Sequence, residues 1–404
     1  MSDSHEPVRT SLYERHLALG AKMVDFHGFR MPVQYSGIQE EHRRVRTGVG
    51  MFDISHMGEI EIWGQDAFEY VQRVVTNDVG QLKTFQVQYT GLCYEHGGLV
   101  DDLTLYRFPD HYLMVVNASN VPKDLDWLRQ HVSGDVEVRD RSDEFSLIAL
   151  QGPVAEPVLA PLTATDLEKI PFYWFMPGEV AGVPTIISRT GYTGEDGFEL
   201  YIADHAGAGM VWDALMESGA KAGISPVGLG ARDSLRLEVG YNLYGNDIWE
   251  ETTPLEARMA WTVSLDKGEF IGREALLKQK EAGLSRRLVG LELQGKAFPR
   301  PGYPVLHGEA EVGHVTSGTV GPSVGIPIAM AYVPADLGVK GTDLVVDCRG
   351  AGDRGYCCRV AILYHRQPEV GAAYARNSRY GSAGLFLPRG DQGECCQGED
   401  GGGH

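Results

Sequence analysis

Two adjacent carboxylates in an apolar run are the residues of this sequence best placed to do chemistry. They are Asp101 and Asp102, within His96-Gly97-Gly98-Leu99-Val100-Asp101-Asp102-Leu103-Thr104-Leu105-Tyr106. The paired glycines make a tight turn, and acids in the strand that follows are costly unless they have partners or a task. An ionised carboxylate only accepts, so the task open to it is to take protons or hydrogen bonds. Side chains alternate along a strand, so the two acids point opposite ways and at most one is expected to face the interior or a pocket. Neither has His or Cys neighbours at ligand spacing apart from the isolated His96, which argues against a metal site. Spacing alone leaves open a plainer reading, a hairpin whose acids cap or turn the chain.

A second cluster runs from Ser188 to Leu200, SRTGYTGEDGFEL. Its glycines let backbone approach a ligand closely, or simply make a turn. Tyr192 offers a ring for stacking and a hydroxyl, and Glu199, back in strand-like sequence, can accept a pair of N–H donors from a heterocycle. In the third, Gly228 to Glu238, a Gly-rich loop enters a helix with Arg232 in its first turn. A cation opposes the helix dipole there and points to an anionic partner, either a ligand or Asp233 or Glu238 in a structural ion pair.

Two other motifs are decoys. Gly321-Pro322-Ser323-Val324-Gly325 has the wording of a nucleophile elbow, but Pro327 follows where a helix must begin. Gly350-Ala351-Gly352-Asp353-Arg354-Gly355 has the wording of a dinucleotide fingerprint, but no helix-like sequence follows it.

The elements that must position these residues alternate irregularly. Gly58–Trp63 (GEIEIW) reads as a half-buried strand, followed by helical spacing at Ala67, Phe68, Val71 and Val75. Tyr112–Val116 is a continuous apolar run, expected as a buried strand. It leads into a helix carrying Leu125, Trp127 and Leu128. Segments at 145–150 and 185–188 are further strands, and a short helix opens at 270–276. The absence of regular βαβ alternation indicates an α+β fold and not a doubly wound sheet. Beyond residue 265 strands become dense at 288–293, 311–317 and 328–333, the pattern of a small antiparallel barrel or sandwich.

With 36 Lys+Arg against 55 Asp+Glu the formal charge is −19, and basic residues come singly or in pairs such as Arg286-Arg287. That surface repels phosphate backbones and argues against nucleic-acid binding. No apolar run approaches the roughly 18–20 residues of a membrane span. The start lacks an apolar signal core, so the expected address is cytoplasmic and reducing. Cys93 stands alone, while Cys348, Cys357, Cys358, Cys395 and Cys396 crowd the end. The adjacent pairs lack the spacer of zinc or redox motifs.

The order and wording of the motifs are more specific than any one of them. Leu12-Tyr13-Glu14-Arg15-His16, the run Gly20–Phe29, Val49–Gly58 (VGMFDISHMG), GGLVDDL, SRTGYTGEDGFEL, GLGARDSLRLEVGYNLYG and Thr316-Ser317-Gly318-Thr319 follow one another across residues 10–366. This resembles the aminomethyltransferase (T-protein) family of the glycine cleavage system. The resemblance implies a three-domain cloverleaf around a central folate channel, with a folate-binding region at 10–265 made of two intertwined α+β domains. A C-terminal antiparallel β-barrel domain follows at 285–366. It implies transfer of a one-carbon unit from aminomethyl-loaded, lipoylated H-protein to tetrahydrofolate, with ammonia released and a functional link to the P- and L-proteins. No metal, flavin or nicotinamide is implied.

By the resemblance Asp102 is the catalytic carboxylate. Tyr192, Glu199, Arg232 and Tyr241 fall in the folate pocket, and Asn117, Phe172 and Tyr173 line the channel. Such a carboxylate can orient the attacking folate nitrogen, take its proton and stabilise a cationic carbon. The alternatives are a tetrahydrofolate-dependent demethylase of a small methylated amine or sulfonium compound, the folate module of a dimethylglycine- or sarcosine-oxidising enzyme, and a non-catalytic folate-binding protein of the same fold. The sequence carries no upstream flavin domain, and it retains Asp102, Glu199 and Arg232 together. Residues 367–404 read as a disordered tail or a shifted reading frame. Tyr364 and Arg366 receive no role, because the usual Pro-Phe-Tyr-like ending is missing.

Overall fold

The central strands are buried along nearly their whole length because both of their faces are covered. Val87–Cys93, Leu99–Arg107, Tyr112–Val116, Gly58–Trp63 and Glu137–Asp140 pair in that order as an antiparallel sheet. The second sheet runs Phe175–Val180, Val183–Ser188, Gly197–Ile202, Ser146–Gln151, Gly50–Asp53 and the parallel Ser225–Pro226. Tyr106, Leu113 and Val115 of the first sheet share one core with Leu147, Ala149, Phe175 and Tyr201 of the second. The helices Ala67–Val74 and Val121–Gln130 cover the outer face of the first sheet through Val71, Val74, Leu125 and Leu128. The helix His205–Ser218 covers that of the second with Val211, Trp212 and Leu215. In this computed structural model the described residues are 6–296 and 298–348, together with the backbone of strand Tyr356–Ala361.

The layering corrects two details. Gly58–Trp63 is a strand as expected, but not half-buried: Ile60 and Ile62 face the helices, and Glu59 and Glu61 are buried as well. Glu61 meets Arg141 at 2.9 Å and Trp63 Nε1 at 2.8 Å. In the helix Ala67–Val74, Phe68 is exposed, and Tyr70 and Val74 complete the buried face.

The C-terminal strands close a barrel in the order Arg286–Leu293, Pro327–Pro334, Ala310–Val320, Pro304–His307, Asp343–Val346, Tyr356–Ala361. The expected α+β fold with a C-terminal antiparallel barrel is the observed one. Cys93 and Cys348 are buried and free. The Gly350–Gly355 fingerprint, Tyr364, Arg366, the side chains of Cys357 and Cys358, and the tail with Cys395 and Cys396 lie outside the described residues.

The helix Leu229–Glu238 joins the layers to the barrel. Ala231 and Leu235 enter the core between the sheets, while Leu237 packs with Leu288, Ile328, Met330 and Tyr332 of the barrel. Beneath it Arg236 is fully buried. It bonds Asp247 at 2.6 Å, Ser317 Oγ at 2.7 Å, Asp233 at 2.7 Å and the Tyr241 carbonyl at 3.0 Å. Asp247 also accepts from Thr316 Oγ1 at 2.5 Å and from the Leu243 N–H at 3.0 Å. Removing one partner of such a pair leaves the other an uncompensated buried charge. Arg236→Ala is therefore expected to cost about 3–5 kcal/mol in denaturant unfolding, and a cost below about 1 kcal/mol would show that the pair is not the joint.

Candidate active site

The turn before the acidic strand needs both of its glycines. Gly97 has φ +90°, and a Cβ on Gly98 would stand 1.8 Å from the Glu250 carbonyl oxygen. Leu99 N–H bonds the Thr252 carbonyl at 2.9 Å, so the start of the strand is clamped to the 250–252 loop. From there Asp101 and Asp102 do point to opposite faces, but both are buried, at 0% and 9% exposure. The expectation that at most one would face inward is overturned, because helices cover one face of this sheet and the second sheet covers the other.

Continuing the register Thr104↔Val115 brings Asn117 opposite Asp102. Asn117 Nδ2 donates to Asp102 Oδ1 at 3.0 Å, to the Asp102 carbonyl at 3.1 Å and to Asp101 Oδ1 at 2.9 Å; its backbone N–H donates to Asp101 Oδ2 at 3.0 Å. Tyr89, from the neighbouring strand, donates its hydroxyl to Asp102 Oδ2 at 2.5 Å. Burial, and then the charge of Asp101, push the Asp102 carboxyl up to about 7, against the opposing pull of Tyr89 and Asn117.

The second sheet supplies the facing acid. Glu199 lies on Gly197–Ile202, and its Oε2 accepts from Thr190 Oγ1 at 2.5 Å. Oε1 has no hydrogen-bond partner among the described residues. Burial raises the Glu199 carboxyl, while Thr190 and the charge of Arg232 lower it. Tyr106 of the first sheet and Tyr201 of the second bond hydroxyl to hydroxyl at 2.8 Å, tying the two walls together.

Arg232 lies with its guanidinium 4.5 Å from the centre of the Tyr192 ring. It has no ion pair among the described residues. The structural partners considered for it are engaged elsewhere, Asp233 with Arg236 and Glu238 with Arg46 and His42. The Tyr192 hydroxyl donates to the Asn242 carbonyl, and its ring lies 5.7 Å from that of Tyr241. Tyr173 has φ +63° and packs 4.7 Å from Phe172. Burial raises the Tyr173 hydroxyl well up, and Tyr241, Glu199, Tyr106 and Asp102 raise it further. Tyr89 is raised by burial, Asp102, Tyr192 and Tyr173. Asp102, Tyr173, Tyr192, Glu199, Arg232 and Tyr241 thus lie within electrostatic reach of one another in a linked set, with Asn117 joined through Asp102 and Phe172 through Tyr173.

Tyr89, Thr190 and His56 also belong here and were not singled out from sequence. Tyr89 pairs with Thr104, while Asp102 stands opposite Gly91, so the contact is a diagonal one that strand pairing does not announce. His56 is buried, its Nδ1 has no partner, and burial and Arg232 push its imidazolium down to about 3. The decoy Ser323 sits on the turn between two barrel strands. Its Oγ lies 2.8 Å from His42 Nε2, but Glu238 meets the same nitrogen at 3.0 Å and Ser234 takes Nδ1. A triad needs its acid on the opposite nitrogen from the nucleophile, so this is not one.

Two family models match the chain: the GCVT N-terminal domain at residues 12–267 and the glycine cleavage T-protein C-terminal barrel domain at residues 286–359. The aminomethyltransferase of Halothermothrix orenii is 49% identical over 88% of this chain and 99% of its own. That of Chloroherpeton thalassium is 49% identical over 88% and 98%. The crystal structure of glycine cleavage system aminomethyltransferase T from Bartonella henselae superposes with a TM-score of 0.83 at 36% identity, covering 89% of this chain and 98% of that one. With both family models in place and relatives matched along nearly their full length, the chain belongs to the aminomethyltransferase family of the glycine cleavage system.

Proposed function

We propose that Asp102 is the carboxylate that acts on the one-carbon unit in this family's reaction, and that Asn117, Phe172, Tyr173, Tyr192, Glu199, Arg232 and Tyr241 line the folate pocket. The family uses tetrahydrofolate as substrate. The reaction gives 5,10-methylenetetrahydrofolate: the aminomethyl carbon bonds two folate nitrogens as it loses ammonia and the dihydrolipoyl thiol of H-protein. In this reading lipoylated H-protein brings the aminomethyl group, the P- and L-proteins act in the same system, and the setting is cytoplasmic. Among the described residues no helix is long and apolar enough to cross a membrane.

The observation that carries the reading is the state of Asp102. A buried carboxylate near 7, held by Tyr89 and Asn117, is matched to neutral pH as a proton acceptor. It orients the folate nitrogen that attacks the carbon, receives the proton that nitrogen sheds, and stabilises positive charge on the carbon while ammonia departs. Glu199 Oε1 is free to take paired ring N–H donors of the pterin, and Tyr192 offers a stacking face. Arg232 supplies the local cation that an anionic folate needs on an otherwise acidic protein.

With tetrahydrofolate and aminomethyl-loaded H-protein the protein is expected to release ammonia, and Asp102→Asn to lower the rate about 10²–10⁴-fold. Ammonia release by that variant equal to wild type would remove Asp102 from the chemistry. Because Asp102 acts ionised, kcat/KM should rise with pH through about 7. Tyr89→Phe removes a donor that favours the ionised form, so the acid limb should move to higher pH; an unmoved limb would assign it to another group. Glu199→Gln should weaken tetrahydrofolate binding roughly 10- to 100-fold, as loss of a charge-assisted bond does. Unchanged affinity by titration calorimetry would place the pterin elsewhere.

A further inference from the structure

Asp124, in the helix Val121–Gln130, is fully buried, and as an anion it would have no donor among the described residues on either carboxylate oxygen. Its carboxyl abuts that of Asp101, which is fully buried too. Asp101 by contrast accepts three N–H groups: Asn117 N at 3.0 Å, Asn117 Nδ2 at 2.9 Å and Asn120 Nδ2 at 2.6 Å. Three N–H donors are the surroundings of an ionised carboxylate, and a carboxyl with none, set against an anion, is the one that keeps a proton.

The other groups around the pair do not change this. Lys123 spends its ammonium on the Val100 carbonyl at 2.6 Å and the Tyr244 hydroxyl at 2.8 Å, over the Tyr244 ring. It donates to neither aspartate. Asp102 and Glu250 add negative charge, and Tyr94 and Tyr244 are uncharged. A lone ammonium cannot compensate Asp101, Asp102, Asp124 and Glu250 together.

We infer that Asp124 holds the proton of a buried acid pair and donates it to Asp101, which makes Asp124 a positioning residue for Asp102. The proton keeps Asp101 an anion. That anion fixes Asn117, whose Nδ2 also meets Asp102 Oδ1, and it is the charge that lifts Asp102 out of the ordinary carboxylate range. Burial and the charge of Asp101 drive the Asp124 carboxyl well up in the same sense. The inference rests on Asp102 as the reacting carboxylate, but the protonation of Asp124 can be read without any activity.

The experiment is difference infrared spectroscopy of the full chain at pH 8, comparing wild type with Asp124→Asn and Asp102→Asn. The buried Glu59 carboxyl adds the same protonated C=O absorption to all three proteins and cancels in the differences. A protonated-carboxyl C=O band is expected in the wild type minus Asp124→Asn difference and not in the wild type minus Asp102→Asn difference, and a wild type minus Asp124→Asn difference without such a band overturns the inference. The pH profile is the second readout. Asp124→Asn keeps a donor toward Asp101 and should leave the acid limb of kcat/KM in place. Asp124→Leu removes the donor, lets Asp101 take the proton, and should move the limb to lower pH because Asp102 loses its charged neighbour. A limb that moves down in Asp124→Asn means that Asp124 was itself an anion, and the inference fails. If Asp124→Leu does not fold, the band and the Asp124→Asn limb decide. Asp102→Asn as active as wild type would sink the role of Asp102 while leaving the band to judge Asp124.

Discussion

Two sheets packed face to face, each with helices on its outer side, leave the central strands no face in water. Every charged side chain on those strands must therefore find a donor, share a proton or stay neutral. Glu61 finds Arg141, and Glu199 finds Thr190. Glu59, fully buried with no partner on either oxygen, is pushed well above the ordinary carboxylate range by burial. Asp102 lies between these extremes. It has two donors, too few to hold it as low as an exposed acid, and an anionic neighbour that raises it further. The packing that stabilises the fold thus also produces a carboxylate that changes charge near neutral pH.

The same packing sets the distance between the two halves of the proposed site. Asp102 lies on one sheet and Glu199 on the other, Asn117 and Thr190 just past the ends of strands of the same two sheets, and the Tyr106–Tyr201 hydroxyl contact at 2.8 Å spans the gap. A site built across two packed sheets inherits their rigidity, whereas one built on loops has to be ordered when the ligand binds. Tyr173 is the exception, a residue held at φ +63°. Its N–H bonds the Arg189 carbonyl and its carbonyl accepts from Val87 N–H, so backbone bonds on both sides hold the unfavourable conformation in place.

Much of this was legible in the sequence, and the parts that were not share a cause. The apolar run Tyr112–Val116, the Gly-Gly turn before Asp101 and the dense strands after residue 285 each carry a local pattern, and each was found where the pattern put it. Alternation told correctly that Asp101 and Asp102 point opposite ways, but a period of two residues says nothing about what covers each face. The partners of Asp101 include Asn120 just before the following helix and Asp124 on it, and Tyr89 reaches Asp102 diagonally, its own pair being Thr104. No short window of sequence contains either.

Arg232 and Arg236 show how far a local reading reaches. They lie one turn apart on the helix Leu229–Glu238, so both project to one side of it. By residue type and spacing they are equivalent. What separates them is the rest of the chain: Asp247 and Ser317, the latter 81 residues further on, saturate Arg236. Among the described residues nothing comparable reaches Arg232, which has an aromatic ring beneath it and the charge of Glu199 within range. Burial, and then the charge of Arg236, lower the tendency of Arg232 to hold its proton against the pull of Glu199, yet a guanidinium does not give it up, so part of the cost of its burial stays in the folded protein. An arginine left in that condition beside a fully satisfied twin is poorly explained as a structural part. In the proposed site the partner it lacks is an anionic group of the substrate, and the saturated Arg236 below it holds the helix in place.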